Sequence, residues 1–230
     1  MTAQRFFVTG TDTGVGKTLI TAALLLNARA FGLRAVGVKP VSAGCTLVNG
    51  QLVNADALLL QRYSSVPLDY AQVNPVALEP AMAPHIAAAR AGLDLRADVL
   101  AAAVARVADQ GHDVLLVEGA GGWLVPLNDT ETMANVAEKL GYPVILVVAM
   151  RLGCLNHALL TAKAIEDAGL ILAGWVANST GPAMAAFDEN LQTLEQRLPA
   201  LRLGTVPFLG KSSTPDQVNT WLDGTTLFGR

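Results

Sequence analysis

Residues 10–18 read Gly10-Thr11-Asp12-Thr13-Gly14-Val15-Gly16-Lys17-Thr18, between the apolar run Phe6-Phe7-Val8 and an apolar, helix-like stretch over residues 19–26. Glycines let a backbone turn so that its N–H groups converge on an anion, and a following helix adds the partial positive charge of its N-terminus. Strand, glycine-rich turn and helix in that order describe a phosphate-binding loop. Gly14, Val15 and Gly16 would form its cradle, Lys17 would reach the outer phosphates, and the Thr18 hydroxyl would ligate Mg²⁺. A triphosphate is the natural guest. The spacing is unusual: the glycine expected six residues before the lysine is replaced by Thr11, and Gly10 stands one residue earlier. A ligand-free glycine turn would have no need of the Gly16-Lys17-Thr18 ending.

The loop sits in a chain with a βαβ rhythm. Strand-like runs cover residues 6–9, 35–39, 114–117, 144–149, 172–177 and, more weakly, 203–206, with helical patterns at 17–30, 55–63, 95–108, 133–140, 155–168 and 184–198. The strand runs are apolar throughout, as strands of a parallel sheet must be when helices cover both faces. The expected fold is α/β, a single-domain P-loop NTPase fold with a mostly parallel central sheet and helices on both faces. Length and composition agree: 230 residues, 52% hydrophobic and only 15% charged, can bury one large core, and no repeat or linker divides residues 1–230. A net charge of −3 with scattered basic residues suggests neither nucleic acid nor a membrane surface as partner. The two cysteines, Cys45 and Cys154, lack metal or redox spacing and fit a reducing compartment, so a soluble cytoplasmic protein is expected.

In open parallel sheets ligands bind beyond the carboxyl ends of the strands, which directs attention to the residues that follow each apolar run. Lys39 closes the second run, where an ammonium needs an anion or a route to solvent. Glu118-Gly119-Ala120-Gly121-Gly122-Trp123 follows the third, placing a carboxylate where nucleotide hydrolases hold Mg²⁺ or orient water, before glycines that allow close backbone approach. Asp56 is either a second metal carboxylate or a residue that favours the dipole of a helix start. The residues 151–157 open a helix and offer free N–H groups as a second anion site or an ordinary helix start. His85 and His157 read as packed or hydrogen-bonded imidazoles, and Asp, His and Cys residues never converge at zinc-like spacing. Residues 64–84, with Pro67, Pro75, Pro80 and Pro84, form the longest irregular stretch, a length that is usually functional when structureless.

Taken together these motifs resemble the dethiobiotin synthetase family along nearly the whole chain. The matching pieces are Val8-Thr9-Gly10-Thr11-Asp12-Thr13 with Val15-Gly16-Lys17-Thr18, Lys39-Pro40-Val41, Asn54-Ala55-Asp56-Ala57 and Pro84-His85-Ile86. They continue with Val117-Glu118-Gly119-Ala120-Gly121-Gly122-Trp123, Leu152-Gly153-Cys154-Leu155-Asn156-His157 and Gly174-Trp175-Val176-Ala177-Asn178. The resemblance implies a homodimeric enzyme that uses ATP, Mg²⁺ and CO₂, or bicarbonate as its source, to close the ureido ring of dethiobiotin on 7,8-diaminononanoate. It assigns Lys17, Lys39 and Thr13 to the reacting groups and Thr18, Asp56 and Glu118 to the metal. Asn178 and Pro207 go to the adenine, and Gly153, Cys154 and Asn156 of the other subunit to the substrate carboxylate.

Two positions depart from the family pattern. Gly14 stands where many members have glutamate, and Ser42-Ala43 replaces their x-Ser order, moving the substrate-binding serine one place early to Ser42. The competing class is a regulatory ATPase of the septum-site or plasmid-partition type. Those proteins usually carry a second lysine early in the loop, where this chain has Gly10-Thr11-Asp12-Thr13, and no amphipathic membrane-binding tail follows here.

Overall fold

The computed structural model describes residues 3–210 and 212–229. In chain order its elements are β1 (Gln4–Gly10), α1 (Lys17–Ala30), β2 (Ala35–Val38), β3 (Val41–Ala43), β4 (Thr46–Val48), β5 (Gln51–Val53), α2 (Ala55–Tyr63) and α3 (Tyr70–Val73). They continue as β6 (Val76–Leu78), α4 (Pro84–Arg90), α5 (Ala97–Ala108), β7 (Val114–Glu118), α6 (Met133–Leu140), β8 (Val144–Ala149), α7 (Cys154–Asp167) and β9 (Leu172–Asn178). The last are α8 (Phe187–Arg197), β10 (Arg202–Val206), α9 (Pro215–Asn219) and α10 (Thr225–Phe228).

Six strands form one sheet in the order β10-β9-β8-β1-β7-β2, every pairing in it parallel. Side chains alternate faces along a strand, so complete burial of Val114–Glu118 and Val144–Ala149 means that both faces of the sheet are covered. The core runs through Phe7, Ile20, Leu24, Leu115, Leu116 and Trp175. Because β1 is flanked by β7 and β8, the loop after it opens at the centre of the sheet's carboxyl edge. Among the described residues no helix is long and apolar enough to cross a membrane.

Local chemistry fixes the elements around that edge. Asn54 caps α2 by accepting from the amides of Asp56 and Ala57, which anchors Asp56 in the first turn. In α6 the Thr132 amide donates to Asn135 Oδ1 at 2.7 Å, and Gly141 at φ 65 ends the helix in the left-handed region. Residues 64–84 are not structureless: they hold α3 and β6, and β6 runs parallel to β3. The sequence patterns also do not announce the β4–β5 hairpin. Three-residue strands carry too little periodicity to read locally, and β6 is specified by a partner more than thirty residues away.

Candidate active site

Steric demands shape the loop between β1 and α1. Gly16, at φ 92, makes the left-handed turn into α1, and a Cβ there would lie 2.3 Å from Asn178 Nδ2. At Gly10 a Cβ would meet Val15 Cγ2 at 2.5 Å. Asn178, the last residue of β9, donates to the Val15 carbonyl at 2.7 Å and so braces the loop from two strands away. Lys17 Nζ donates to the Asp12 carbonyl at 2.9 Å, while the Asp12 carboxylate accepts from the Thr13 amide and pairs with Arg151 at 2.7 Å.

A cluster of buried charge lies behind the loop. Glu118 ends β7 with no exposure to solvent; its Oε1 accepts from the Thr18 hydroxyl at 2.8 Å and from Lys39 Nζ at 2.5 Å. Lys39, directly after β2, also pairs with Asp56 Oδ2 at 3.1 Å. Glu118 Oε2 is buried with no hydrogen-bond partner among the described residues. The two lysines respond in opposite senses. Burial lowers Lys17 to about 8, only partly countered by Glu118. Burial works against the Lys39 ammonium as well, but Glu118 and Asp56 outweigh it and hold the group above its ordinary value.

Thr13, Lys39, Ser42, Asp56 and Gly121 line one cavity of about 550 Å³. Ser42 is tied to its floor, donating to Asn74 Oδ1 at 2.7 Å. A smaller cavity of about 160 Å³ lies between Gly16, Asn178, Pro207 and Ser213. Gly14, at φ 73, has open space around it. Gly153, Cys154 and Asn156 lie apart from both cavities at the start of α7. There Gly153 adopts φ 93, the Cys154 amide donates to the Arg151 carbonyl at 2.9 Å, and Asn156 is exposed. Arg151, just before this helix start, pairs with Asp12 of the loop. His157 is exposed, and His85 Nδ1 is buried without a hydrogen-bond partner among the described residues.

A family profile described as an AAA domain matches residues 4–216. The ATP-dependent dethiobiotin synthetase BioD of Cellvibrio japonicus is 53% identical over 227 residues, spanning 99% of both chains. The chain belongs to the ATP-dependent dethiobiotin synthetase family. Its similarity to further members holds at 53% for the Pseudomonas paraeruginosa protein, across 95% of each chain. For BioD 1 of Escherichia coli O157:H7 it is 48%, across 91% of this chain and 93% of that one. The signal recognition particle receptor FtsY of Elizabethkingia anophelis, solved with GDP, shares the fold at TM-score 0.56 and 18% identity. The alignment covers 98% of this chain but only 62% of the receptor.

At the strand ends Thr18 and Lys39 share Glu118, Asp56 pairs with Lys39, and Lys17 feels the charges of Glu118, Lys39 and Asp56 without a hydrogen bond to any of them. Three contributors carried no sequence signal of their own. Asp12 organises the loop from both its carbonyl and its carboxylate. Tyr70 and Asn74 lie in the stretch read as irregular, where the Asp69 amide bonded to Gln72 Oε1 starts a short helix. An Asp-x-x-Gln spacing was the one available hint of that helix.

Proposed function

We propose that this chain uses ATP and CO₂, with bicarbonate as its source, to close the ureido ring of dethiobiotin on 7,8-diaminononanoate in biotin biosynthesis. Membership of its family makes it an ATP-using ligase. One observation carries the finer reading: the phosphate loop and a second buried lysine share Glu118, and that lysine faces a cavity with Thr13 and Asp56. A loop that only hydrolysed a triphosphate would not need a second cation site beside it.

The chemistry brings two anions together. One amine takes up CO₂ and loses a proton, giving a carbamate. A carbamate oxygen attacks the γ-phosphorus and ADP leaves. The second amine then attacks the carbonyl of the mixed anhydride, the ring closes, and phosphate departs. Lys17, at the loop, offsets the charge of the phosphates, and Lys39, above its ordinary pKa, presents a permanent cation to the carbamate. Thr13 and Ser42 hold the diamine from the cavity walls, and a fixed diamine presents its second amine to the anhydride. Asn178 and Pro207 border the small cavity that receives the adenine.

The residues present suit Mg²⁺. Thr18, Asp56 and Glu118 offer hard oxygen donors, Glu118 Oε2 has no other partner, and two carboxylates leave coordination places for phosphate oxygens and water. Thr18, Asp56 and Glu118 would hold the ion, and when bound it neutralises charge on the phosphates. Among the described residues no group of three His, Cys, Asp or Glu side chains forms a denser metal site.

We place the reaction in the cytoplasm, in one domain spanning residues 1–230 that works as a homodimer with neither nucleic acid nor membrane as partner. The start of α7 from a second copy, with Gly153, Cys154 and Asn156, receives the distal carboxylate of the diamine. Support comes from Leu152 beside it, which is 93% exposed, an apolar residue with no cover of its own. Two experiments test the proposal. Phosphate release from ATP and Mg²⁺ should require both the diamine and bicarbonate; release indifferent to the diamine would contradict it. Mixing Lys17→Ala protein with Asn156→Ala protein should restore activity in heterodimers, and no recovery would remove the shared site.

A further inference from the structure

A closed circuit of hydrogen bonds runs beneath the charge cluster. The Lys39 carbonyl accepts from Asn74 Nδ2 at 2.7 Å, and Asn74 Oδ1 accepts from the Tyr70 hydroxyl at 2.9 Å. The Tyr70 oxygen accepts the Asn54 amide at 2.8 Å, and Asn54 Oδ1 accepts the Asp56 amide at 3.0 Å. Asp56 Oδ2 then returns to Lys39 Nζ at 3.1 Å, closing the ring on the residue where it began. Ser42 donates to the same Asn74 oxygen at 2.7 Å. Asn74 and Asn54 are 3% and 8% exposed, so these polar groups are withdrawn from water and committed to one another.

Two walls of the site meet in this circuit. Lys39 leaves the end of β2, whereas Asp56 stands in the first turn of α2 with its side chain 48% exposed. With one partner so open to water, the pair holds the Asp56 geometry weakly on its own. Tyr70 is suited to fix it, because one oxygen accepts from the α2 cap and donates toward β2. Burial pushes its phenol up, which keeps the donated proton in place.

We propose that Tyr70, acting through Asn74 and Asn54, is a positioning residue that sets the separation of Lys39 and Asp56 and thereby the affinity of the site for a divalent cation. The inference rests on the reading of Asp56 as a metal-holding carboxylate. Removing an outer partner of a ligating group typically costs about 10- to 100-fold in metal affinity.

Mn²⁺ in the presence of a non-hydrolysable ATP analogue is the probe, with free Mn²⁺ read by electron paramagnetic resonance on the full chain. Tyr70→Phe should weaken Mn²⁺ binding roughly tenfold while leaving the metal-free affinity for the analogue unchanged, with only a modest fall in the thermal midpoint from the unpartnered Asn54 amide. In an Asp56→Asn background the same substitution should cost less than about twofold, because positioning works only through the carboxylate. Unchanged Mn²⁺ affinity in the parent background, or equal losses in both backgrounds, would overturn the proposal. If Tyr70→Phe does not fold, Asn74→Ala breaks the same circuit at the Lys39 carbonyl without adding a charge beside the site, and the same pattern is expected. A parent protein that takes up no Mn²⁺ would sink the metal reading and this inference together. Normal Mn²⁺ uptake without diamine-dependent phosphate release would sink only the proposed reaction.

Discussion

The two edges of the central sheet use similar residues to opposite ends. At the amino edge Arg34 pairs with Asp113 at 3.2 Å and Arg5 with Asp109 at 3.6 Å. The Arg34 and Asp113 side chains are 60% and 40% exposed, so water screens the charges and the pair contributes little. At the carboxyl edge Lys39 and Glu118 are 5% and 0% exposed, and one Glu118 oxygen has no hydrogen-bond partner among the described residues. Desolvation of that kind is costly and gives weak support to folding. Charge is dispersed into water where only the fold depends on it and concentrated away from water where phosphate chemistry is proposed.

Substitutions that separate rate from stability break or sharpen that contrast. The largest effect is expected at Lys17: Lys17→Ala should cut diamine-dependent phosphate release about 10²- to 10³-fold, the scale of one preorganised donor. Chemical denaturation should show no loss of stability, since burial already holds that ammonium down at about 8. Lys39→Met should instead destabilise by about 3–5 kcal/mol, because Glu118 would be left buried and unpaired. Adding Glu118→Leu should restore most of that stability without restoring activity. A urea series on the single and double variants checks both points.

At the amino edge the effects should be smaller and fall on folding alone. His112 is buried with both ring nitrogens unpartnered among the described residues, and burial, with Arg5 adding, lowers its pKa below the ordinary 6.5. The unfolded chain therefore binds a proton that the folded chain resists, so this histidine subtracts stability as pH falls below 6.5. His112→Phe should flatten the dependence of the denaturation midpoint on pH below 6.5, with activity at neutral pH unchanged. Arg34→Ala should cost no more than about 1 kcal/mol in the same measurement, and less at high salt.

The contrast also shows what the sequence could express. The strand-end rule located Lys39 and Glu118 because each follows an apolar run visible in a few consecutive residues, Lys39 just after β2 and Glu118 as the last residue of β7. Helices α1, α2 and α6 match their predicted limits, since period and caps are local signals. Helix α8 starts at Phe187 rather than at residue 184, where Ala186 in the left-handed region interrupts the pattern. Asp56 was ambiguous between cap chemistry and site chemistry, and it sits in both places: in the first turn of α2 and against Lys39. Tyr70 and Asn74 were illegible because their roles depend on partners on other elements, among them Asn54 and Lys39. Long-range hydrogen bonds between short elements leave no periodic trace.

The central claim is that the carboxyl edge joins a carbamate to the γ-phosphate. It is tested most directly by following oxygen from ¹⁸O-labelled bicarbonate, with its CO₂ equilibrated, into the phosphate released during turnover with ATP and the diamine. Attack by a carbamate oxygen followed by expulsion of phosphate predicts one labelled oxygen in each phosphate formed. Unlabelled phosphate, released at the same rate as product, would contradict the account.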